Sequence, residues 1–193
     1  MDIHPIILTG RYVRLVPLSL DHTAELAAAG NEPDIWRYMP YGNVDSPEKM
    51  RGWIEGRLRL QTKGTDLPFA IIHLATGRAI GATRYLTIDH PNRSLEIGGS
   101  WLHRDYRRSA ANTESKYLLL RHAFETLGAL RVQLRTDLRN ERSQQAIERL
   151  GAAREAVFRK YTIMPDGYQR SSVFYSITDD EWPGVKARLE EWL

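Results

Sequence analysis

The chain has 193 residues, a formal net charge of +3 at pH 7 and no cysteine. This length is enough for one sizeable hydrophobic core and short for two, so we expect a single domain over residues 1–193. The lack of cysteine excludes disulfides, thiolate metal sites and cysteine nucleophiles. No apolar segment approaches the ~20 residues of a membrane span and no secretion signal is recognisable, so we expect a cytoplasmic protein without a membrane partner.

Arginine is concentrated in the middle of the chain, which favours a phosphate-bearing ligand. The alternative is a set of solvated surfaces around an ordinary core. A nucleic-acid partner is less favoured, because the basic residues are interleaved with core-forming elements and do not form one polar stripe. Between Arg93 and Arg159 the arginines are Arg104, Arg107, Arg108, Arg121, Arg131, Arg135, Arg139, Arg142, Arg149 and Arg154.

Hydrophobic periodicity and turn residues divide the chain into strands and helices. Apolar residues at every second position predict strands, and apolar residues at helical spacing predict helices. The clearest helix start is Ser46-Pro47-Glu48, which supplies a capping hydroxyl, a proline in the first turn and an acid. The predicted elements are a strand (11–17), two helices (20–29 and 46–62), three strands (67–74, 79–88 and 94–102), a helix (112–127), a strand (130–136), a helix (141–150), two strands (152–163 and 168–177) and a helix (179–193).

This order predicts an α/β protein with a mixed sheet and helices packed on it. The three strands between residues 67 and 102 are typical of an antiparallel meander, and Pro165-Asp166-Gly167 is suitable chemistry for a hairpin turn. The strand over 130–136 lies between two helices. Helical crossovers favour parallel pairing, so a cleft at the strand ends is expected there.

The most informative stretch is residues 97–114, where a strand ends in a short basic loop that leads into a helix. Unpaired backbone N–H groups and the positive end of the helix dipole converge at such a point. The pattern therefore predicts a binding site for a pyrophosphate. The alternative is an ordinary strand–loop–helix joint with surface arginines.

These segments, in this order and spacing, resemble the GCN5-related N-acetyltransferase (GNAT) superfamily and, within it, the RimJ/RimL-type N-terminal acetyltransferases of ribosomal proteins. The resemblance covers nearly the whole chain. It implies a central sheet of about six to seven strands that splays around a parallel pair, with acetyl-CoA as cosubstrate and no metal. The segments that carry it are residues 8–15, 95–98 with Trp101-Leu102, 106–108, 112–116, 140–143 with 147–152, and 165–167 with Glu181-Trp182.

The resemblance also implies which residues bind coenzyme A. The family loop usually has the pattern Arg/Gln-x-x-Gly-x-Gly/Ala, and this chain departs from it with Ala110 at the first glycine. A positive φ at Ala110 would cost about 1–2 kcal/mol, which charge-assisted contacts to phosphate can outweigh. Asn112 replaces the last small residue and is a candidate helix N-cap. The implied cofactor-binding residues are Trp101, Leu102, His103, Arg107, Arg108, Ser109, Ala110, Ala111, Asn112, Asn140 and Ser143.

Catalytic residues are implied in the same way. Glu96 matches an acid that relatives use to remove the proton of the amine, and burial in its apolar strand would raise its pKa. Ser143 matches a hydroxyl near the departing sulfur. Each also has an ordinary structural interpretation, as a solvent-facing strand residue and as a first-turn serine. Trp36 and Tyr38 are the candidates for an acceptor pocket.

The acceptor remains open at this stage. The preferred one is an α-amino group of a protein, peptide or aminoacyl compound, by direct attack in a ternary complex. A polyamine or an amine-containing antibiotic would use the same coenzyme A residues. A third hypothesis is a regulatory module that retains the fold and binds acyl-CoA without turnover. A homodimer is a further alternative that the sequence leaves open.

Overall fold

A computed structural model describes all 193 residues. The predicted elements are all present, with ends that differ by a few residues. Short 3-10 turns precede α1 and α4, and a π-helical turn over His122–Thr126 follows α4. The elements are β1 (Leu8–Thr9), β2 (Val13–Pro17), α1 (Thr23–Ala29), α2 (Pro33–Trp36), α3 (Pro47–Thr62), β3 (Leu67–His73), β4 (Ala79–Asp89), β5 (Ser94–Leu102), α4 (Ala110–Arg121), β6 (Arg131–Asp137), α5 (Glu141–Leu150), β7 (Ala153–Ile163), β8 (Gln169–Thr178) and α6 (Trp182–Glu191).

The strands form one mixed sheet of eight, in the order β1-β2-β3-β4-β5-β6-β8-β7. The predicted fold class is confirmed, and the meander and the hairpin are antiparallel as expected. The expected six to seven strands become eight because the two-residue β1 pairs with β2. A strand of two residues is too short to show the alternation of apolar and polar residues by which strands are predicted.

The parallel pair is β5 with β6, and it is short. Only Ser94 to Glu96 pair with Arg131 to Gln133. Beyond Glu96 and Gln133 the two strands part, while β5 continues to Leu102 and β6 to Asp137. The sheet therefore opens into a cleft whose two edges carry backbone groups without strand partners, and such groups favour a ligand that can bond them.

The two faces of the sheet differ in chemistry. On one face Ile97, Val132, Leu134 and Tyr175 belong to the main core under α4 and α6. A second core lies on the other face, where α1, α2 and α3 cover β3 and β4, and it includes Trp36, Trp53 and Trp101. Because side chains alternate along a strand, Glu96, Gln133 and Arg135 project to this second face, in the part of the sheet that these helices leave open.

Helix α4 is tied to the first strands through one carboxylate. Glu114 is buried and accepts hydrogen bonds from the backbone N–H groups of Arg11, Tyr12 and Val13 at 2.6, 2.7 and 2.8 Å. A Cβ on Gly10 would lie 2.3 Å from Glu114 Cδ, so only glycine lets the backbone approach this closely. This contact sets the position of α4 against β2.

None of the helices combines the length and the apolar composition that a membrane span requires.

Candidate active site

The cleft between β5 and β6 carries a bulge in its β5 edge. Pairing with β4 shifts between Ala82 and Arg84, and Gly99 has a φ of 59°. A Cβ on Gly99 would meet Arg84 Nε at 3.2 Å and Tyr41 Oη at 3.3 Å, so the position requires glycine for both its φ and its space. The bulge turns the β5 backbone beside the cleft and brings Tyr41 and Arg84 against it.

Glu96 lies at the vertex of the cleft. Its side chain is only 4% exposed, and its Oε2 accepts a hydrogen bond from Gln133 Nε2 at 2.8 Å. Arg135 Nη2 lies 3.4 Å from the other oxygen, Oε1. Burial raises the pKa of Glu96, and Arg135 and Gln133 oppose that shift without cancelling it. The expected raised pKa is confirmed, and a carboxyl of this kind is suited to accept a proton near neutral pH.

Arg135 is fixed by aromatic rings. Its guanidinium lies 5.0 Å from the ring centre of Tyr161 and 5.5 Å from that of Phe174. Phe158 packs on Phe174 with ring centres 4.4 Å apart. Phe158 and Tyr161 are about half exposed, so they form a wall at the mouth of the site on the β7–β8 hairpin.

A second arginine, Arg170, lies deeper on the same face. Arg170 Nη1 donates to the carbonyl oxygen of Tyr38 at 3.1 Å, and its Nε is 3.8 Å from Asp137 Oδ2. Asp137 is fully buried, and Arg139 binds both of its oxygens, at 3.1 and 2.7 Å. Although burial opposes it, this pairing with Arg139 and Arg170 lowers the pKa of Asp137. The Nε of Arg170 is buried without a hydrogen-bond partner.

The basic loop after β5 is arranged differently from the expectation. Arg107 Nη1 pairs with Asp34 at 3.0 Å, Nη2 lies 3.4 Å from Glu32, and Nε donates to the carbonyl of Leu102 at 3.2 Å. Arg107 therefore ties the loop to α2. Arg108 is exposed and forms no salt bridge or hydrogen bond within the protein, so it is the freer cation beside the start of α4.

The start of α4 corrects two expectations. The helix begins at Ala110 and its N-cap is Ser109, whose hydroxyl accepts from Ala111 N at 3.2 Å, so Asn112 lies inside the first turn and is not the cap. Ala110 has helical backbone angles and bears no strain. The positive φ of this loop, 61°, falls on Arg108. The missing glycine therefore carries no conformational cost at Ala110.

Asn140 and Ser143 lie at the start of α5, across the cleft from β5. Asn140 is the N-cap, and its side-chain oxygen accepts from Ser143 N at 3.1 Å. The Ser143 hydroxyl is half-buried and has no hydrogen-bond partner within the protein. The roles of both residues toward a ligand stay predictions.

Some of the remaining predicted site residues are buried in the core, and others lie nearer the cleft. Trp36 is 2% exposed, donates its indole N–H to the carbonyl of Gly30 at 2.8 Å and packs on Trp101, so both tryptophans are core residues in this structure. His103 contacts Glu32 at 3.7 Å, and the neighbouring Leu102 is buried at the end of β5. Tyr38 is half-buried beside Arg139 and Arg170, and its role toward an acceptor stays a prediction.

The sequence interpretation missed the site roles of two polar residues, Arg135 and Arg170. Arg135 was counted only among candidate phosphate ligands. Strand alternation would have found both arginines, because Gln133 lies opposite Glu96 and Arg135 is two residues further on the same face. Arg170 shares that face through the pairing of β6 with β8.

A buried lysine was also missed. Lys116 of α4 is 8% exposed and donates to Ser100 Oγ at the bulge, and Ser100 in turn contacts Thr83 Oγ1 at 2.7 Å. The ammonium group forms no salt bridge with a carboxylate. Burial lowers the pKa of Lys116 to about 7. No group of three or more histidine, aspartate or glutamate side chains is arranged to hold a metal ion.

Comparison with known proteins agrees with this geometry. The family model of the acetyltransferase (GNAT) domain matches residues 13–153. The chain belongs to the GNAT acetyltransferase family. It is 41% identical to a "putative acetyltransferase" from T. thermophilus, whose crystal structure superposes with a TM-score of 0.90 and full coverage of both chains. The resemblance stated from the sequence is thereby confirmed at the level of the family.

Two further relatives bear on the subfamily. The chain is 30% identical over 113 residues to the "Putative ribosomal N-acetyltransferase YdaF" of Bacillus subtilis, and the match spans 58% of this chain and 61% of that relative. The structure of Mycobacterium smegmatis RimJ in complex with CoA-disulfide is 20% identical, with a TM-score of 0.84 and coverage of 97% of this chain and 95% of that one. At that identity the likeness concerns the fold alone.

Proposed function

We propose that this GNAT protein is an acetyl-CoA-dependent N-acetyltransferase that acts on a primary amine, preferably an α-amino group of a protein, peptide or aminoacyl compound. The observation that carries the proposal is the cleft itself. Its vertex holds Glu96, a buried carboxyl with a raised pKa, and its two edges are strand backbones without partners. A linear acyl-pantetheine arm suits such a gap, because its amides can replace the missing strand partner.

Acetyl-CoA fits the surroundings of the cleft. The N-terminus of α4, with the exposed Arg108 beside it, suits the pyrophosphate, since helix N-termini and arginine both favour anions. Asn140 and Ser143 lie at the start of α5, directly after β6, and we infer that they contact the pantetheine arm. Arg107 is already held by Glu32 and Asp34, so we assign it to positioning the loop.

The proposed reaction is a direct transfer. The neutral amine attacks the thioester carbonyl carbon, the carbon–sulfur bond breaks and the acetyl group ends on nitrogen as an amide. Glu96 receives the proton that the amine loses, directly or through water. Ser143 donates its hydroxyl proton to the departing thiolate and takes a proton back from water, while Glu96 releases its proton to water. The chain has no cysteine, and an acetyl-enzyme is not part of the scheme.

The preference for an α-amino acceptor is supported by the relative of Bacillus subtilis, which is named a putative ribosomal N-acetyltransferase. The polyamine and antibiotic alternatives share the same cleft and differ only in the acceptor. The proposal includes a cytoplasmic location, with a homodimer as an alternative to a monomer.

Calorimetric titration with acetyl-CoA, followed by turnover assays with peptides, polyamines and aminoacyl compounds, tests the proposal. We expect saturable binding of acetyl-CoA and the highest kcat/KM with an α-amine. A folded protein without saturable binding at millimolar acetyl-CoA would refute it. Binding without turnover on any amine would favour the regulatory module, and a preference for polyamines would favour the small-amine alternative.

A further inference from the structure

The open face of the sheet around Glu96 holds more positive than negative charge. Five guanidinium groups and three carboxylates act on one another there or on the half-buried Tyr41. Buried charges are normally paired, because an uncompensated charge in a region of low polarity is unfavourable. The groups are Arg57, Arg84, Arg135, Arg139 and Arg170 with Asp66, Glu96 and Asp137.

The carboxylates are already engaged. Asp137 is bound through both oxygens by Arg139, and Asp66 lies 3.1 Å from Arg84. Glu96 is the only acid in an ion pair with Arg135, and its Oε1 lies 3.4 Å from Arg135 Nη2. Arg170 shares Asp137 with Arg139, its Nε lying 3.8 Å from Oδ2, and Arg135 has only Glu96, so two acids compensate these three guanidinium groups.

Arg135 and Arg170 point their charge into the same region. They lie on neighbouring strands and on one sheet face, since Arg135 pairs in register with Phe174 of β8, four residues after Arg170. Each guanidinium disfavours the other electrostatically. Arg170 retains a buried Nε without a hydrogen-bond partner, and Arg135 is held rigidly by Tyr161 and Phe174. Rigid, partly unpaired guanidinium groups match the planar shape of a carboxylate.

We propose that Arg135 and Arg170 bind a carboxylate carried by the amine acceptor, so that the preferred acceptors have a carboxylate close to the reacting amino group. This inference rests on the proposed function, because it places the acceptor on the Glu96 face. The carboxylate can belong to the side chain of an N-terminal acidic residue of a peptide or to the α-carboxyl of a free amino acid.

Matched acceptors test the proposal with the wild-type protein. One pair is a peptide that begins with Asp and the same peptide that begins with Asn. The other is a free amino acid and its amide. We expect kcat/KM to favour the carboxylate member of at least one pair by about tenfold or more, and the pair that responds identifies the source of the carboxylate. Equal values within both pairs would overturn the proposal.

A variant tests whether Arg170 is responsible for the preference for carboxylate acceptors. Arg170→Gln leaves Asp137 paired with Arg139, so the fold retains that buried ion pair. We expect the carboxylate-to-amide ratio of kcat/KM to fall toward one while KM for acetyl-CoA is unchanged. Arg154→Gln, on the same hairpin and exposed, is the matched control. A raised KM for acetyl-CoA with an unaltered ratio would assign Arg170 to the cosubstrate and overturn the proposal.

Binding of the N-acetylated products separates this inference from the proposed function. Calorimetry compares the acetylated carboxylate compound with its amide. If no amine is acetylated but only the carboxylate compound binds, the carboxylate site at Arg135 and Arg170 is supported and the proposed function is refuted. If both members of each pair are acetylated equally, the proposed function is supported and the carboxylate site at Arg135 and Arg170 is refuted.

Discussion

Gln133 donates to Oε2 of Glu96 at 2.8 Å in the last residue pair that joins β5 to β6, immediately before the strands part. The amide fixes one carboxylate oxygen and leaves Oε1, 3.4 Å from Arg135, as the less tightly held one. We therefore assign Oε1 as the oxygen that receives the proton of the amine. Glu96 lies at the vertex of the cleft, and its side chain is almost fully buried.

Glu96→Gln should lower turnover by about 10²–10⁴-fold, because the amide is isosteric and cannot accept the proton. KM for acetyl-CoA should change little. The free energy of unfolding at pH 7 should not fall, because burial raises the pKa of Glu96 and the ionised form is disfavoured in the folded state. Steady-state kinetics and urea unfolding measure these quantities. Glu55→Gln on α3 is the control, and full activity of the Glu96 variant across the pH range would remove Glu96 from the mechanism.

The pH dependence of kcat/KM should report Glu96. Burial raises the pKa of Glu96 above the ordinary 4.5. As the pH falls, activity should therefore be lost at a higher pH than it would be if the base were a solvent-exposed carboxyl. Arg135 lowers that pKa, so Arg135→Gln should move the acid limb of the profile to higher pH. Arg154→Gln should leave the limb in place. An acid limb that does not move in the Arg135 variant would contradict this coupling.

Arg108→Asn should weaken acetyl-CoA binding by about 1.5–3 kcal/mol if Arg108 contacts phosphate, and asparagine tolerates the positive φ of 61° at this position. Arg107→Ala should instead lower the free energy of unfolding, because it removes the link from the loop to Glu32 and Asp34. Calorimetry and denaturant unfolding of both variants separate the two roles. Unchanged affinity in the Arg108 variant would place the pyrophosphate elsewhere.

Gly10→Ala should reduce the free energy of unfolding by about 2–4 kcal/mol, because the new Cβ would displace the Glu114 carboxylate from three backbone donors. Urea unfolding measures the loss. Gly52→Ala is a matched control inside α3, where a Cβ would meet nothing within 4 Å. Alanine should stabilise the helix there by about 0.5–1 kcal/mol. Equal effects at the two glycines would argue against the Glu114 contact.

Lys116→Met should stabilise the protein, and more strongly at pH 6 than at pH 10. The folded pKa of Lys116 is about 7 and the ordinary value is 10.5, so the unfolded state binds more protons between these values. Wild-type stability should therefore rise with pH over that window, at a limiting slope of about 1.4 kcal/mol per pH unit. Urea unfolding at several pH values tests this. Lys63→Met on the surface should show no such dependence, and a pH-independent gain at Lys116 would refute the lowered pKa.

The sequence by itself determined the order of the elements, the parallel strand between two helices and the family. Helix boundaries such as those of α5 followed from local chemistry, because caps and apolar periodicity act over a few residues. Glu96 was found from its motif. In contrast, the N-cap at Ser109 and the positive φ at Arg108 were decided by how the loop joins β5 to α4.

Only the tertiary structure decided which charges meet. The pairing of Arg107 with Glu32 and Asp34, and the approach of Arg135 and Arg170 on one face, join residues that are far apart in the chain. Trp36 was an acceptor candidate by its position in an irregular segment, yet the packing of Trp53 and Trp101 places it in the core. Burial and electrostatic compensation depend on the whole set of neighbours, and strand pairing brings those neighbours together only in the folded chain.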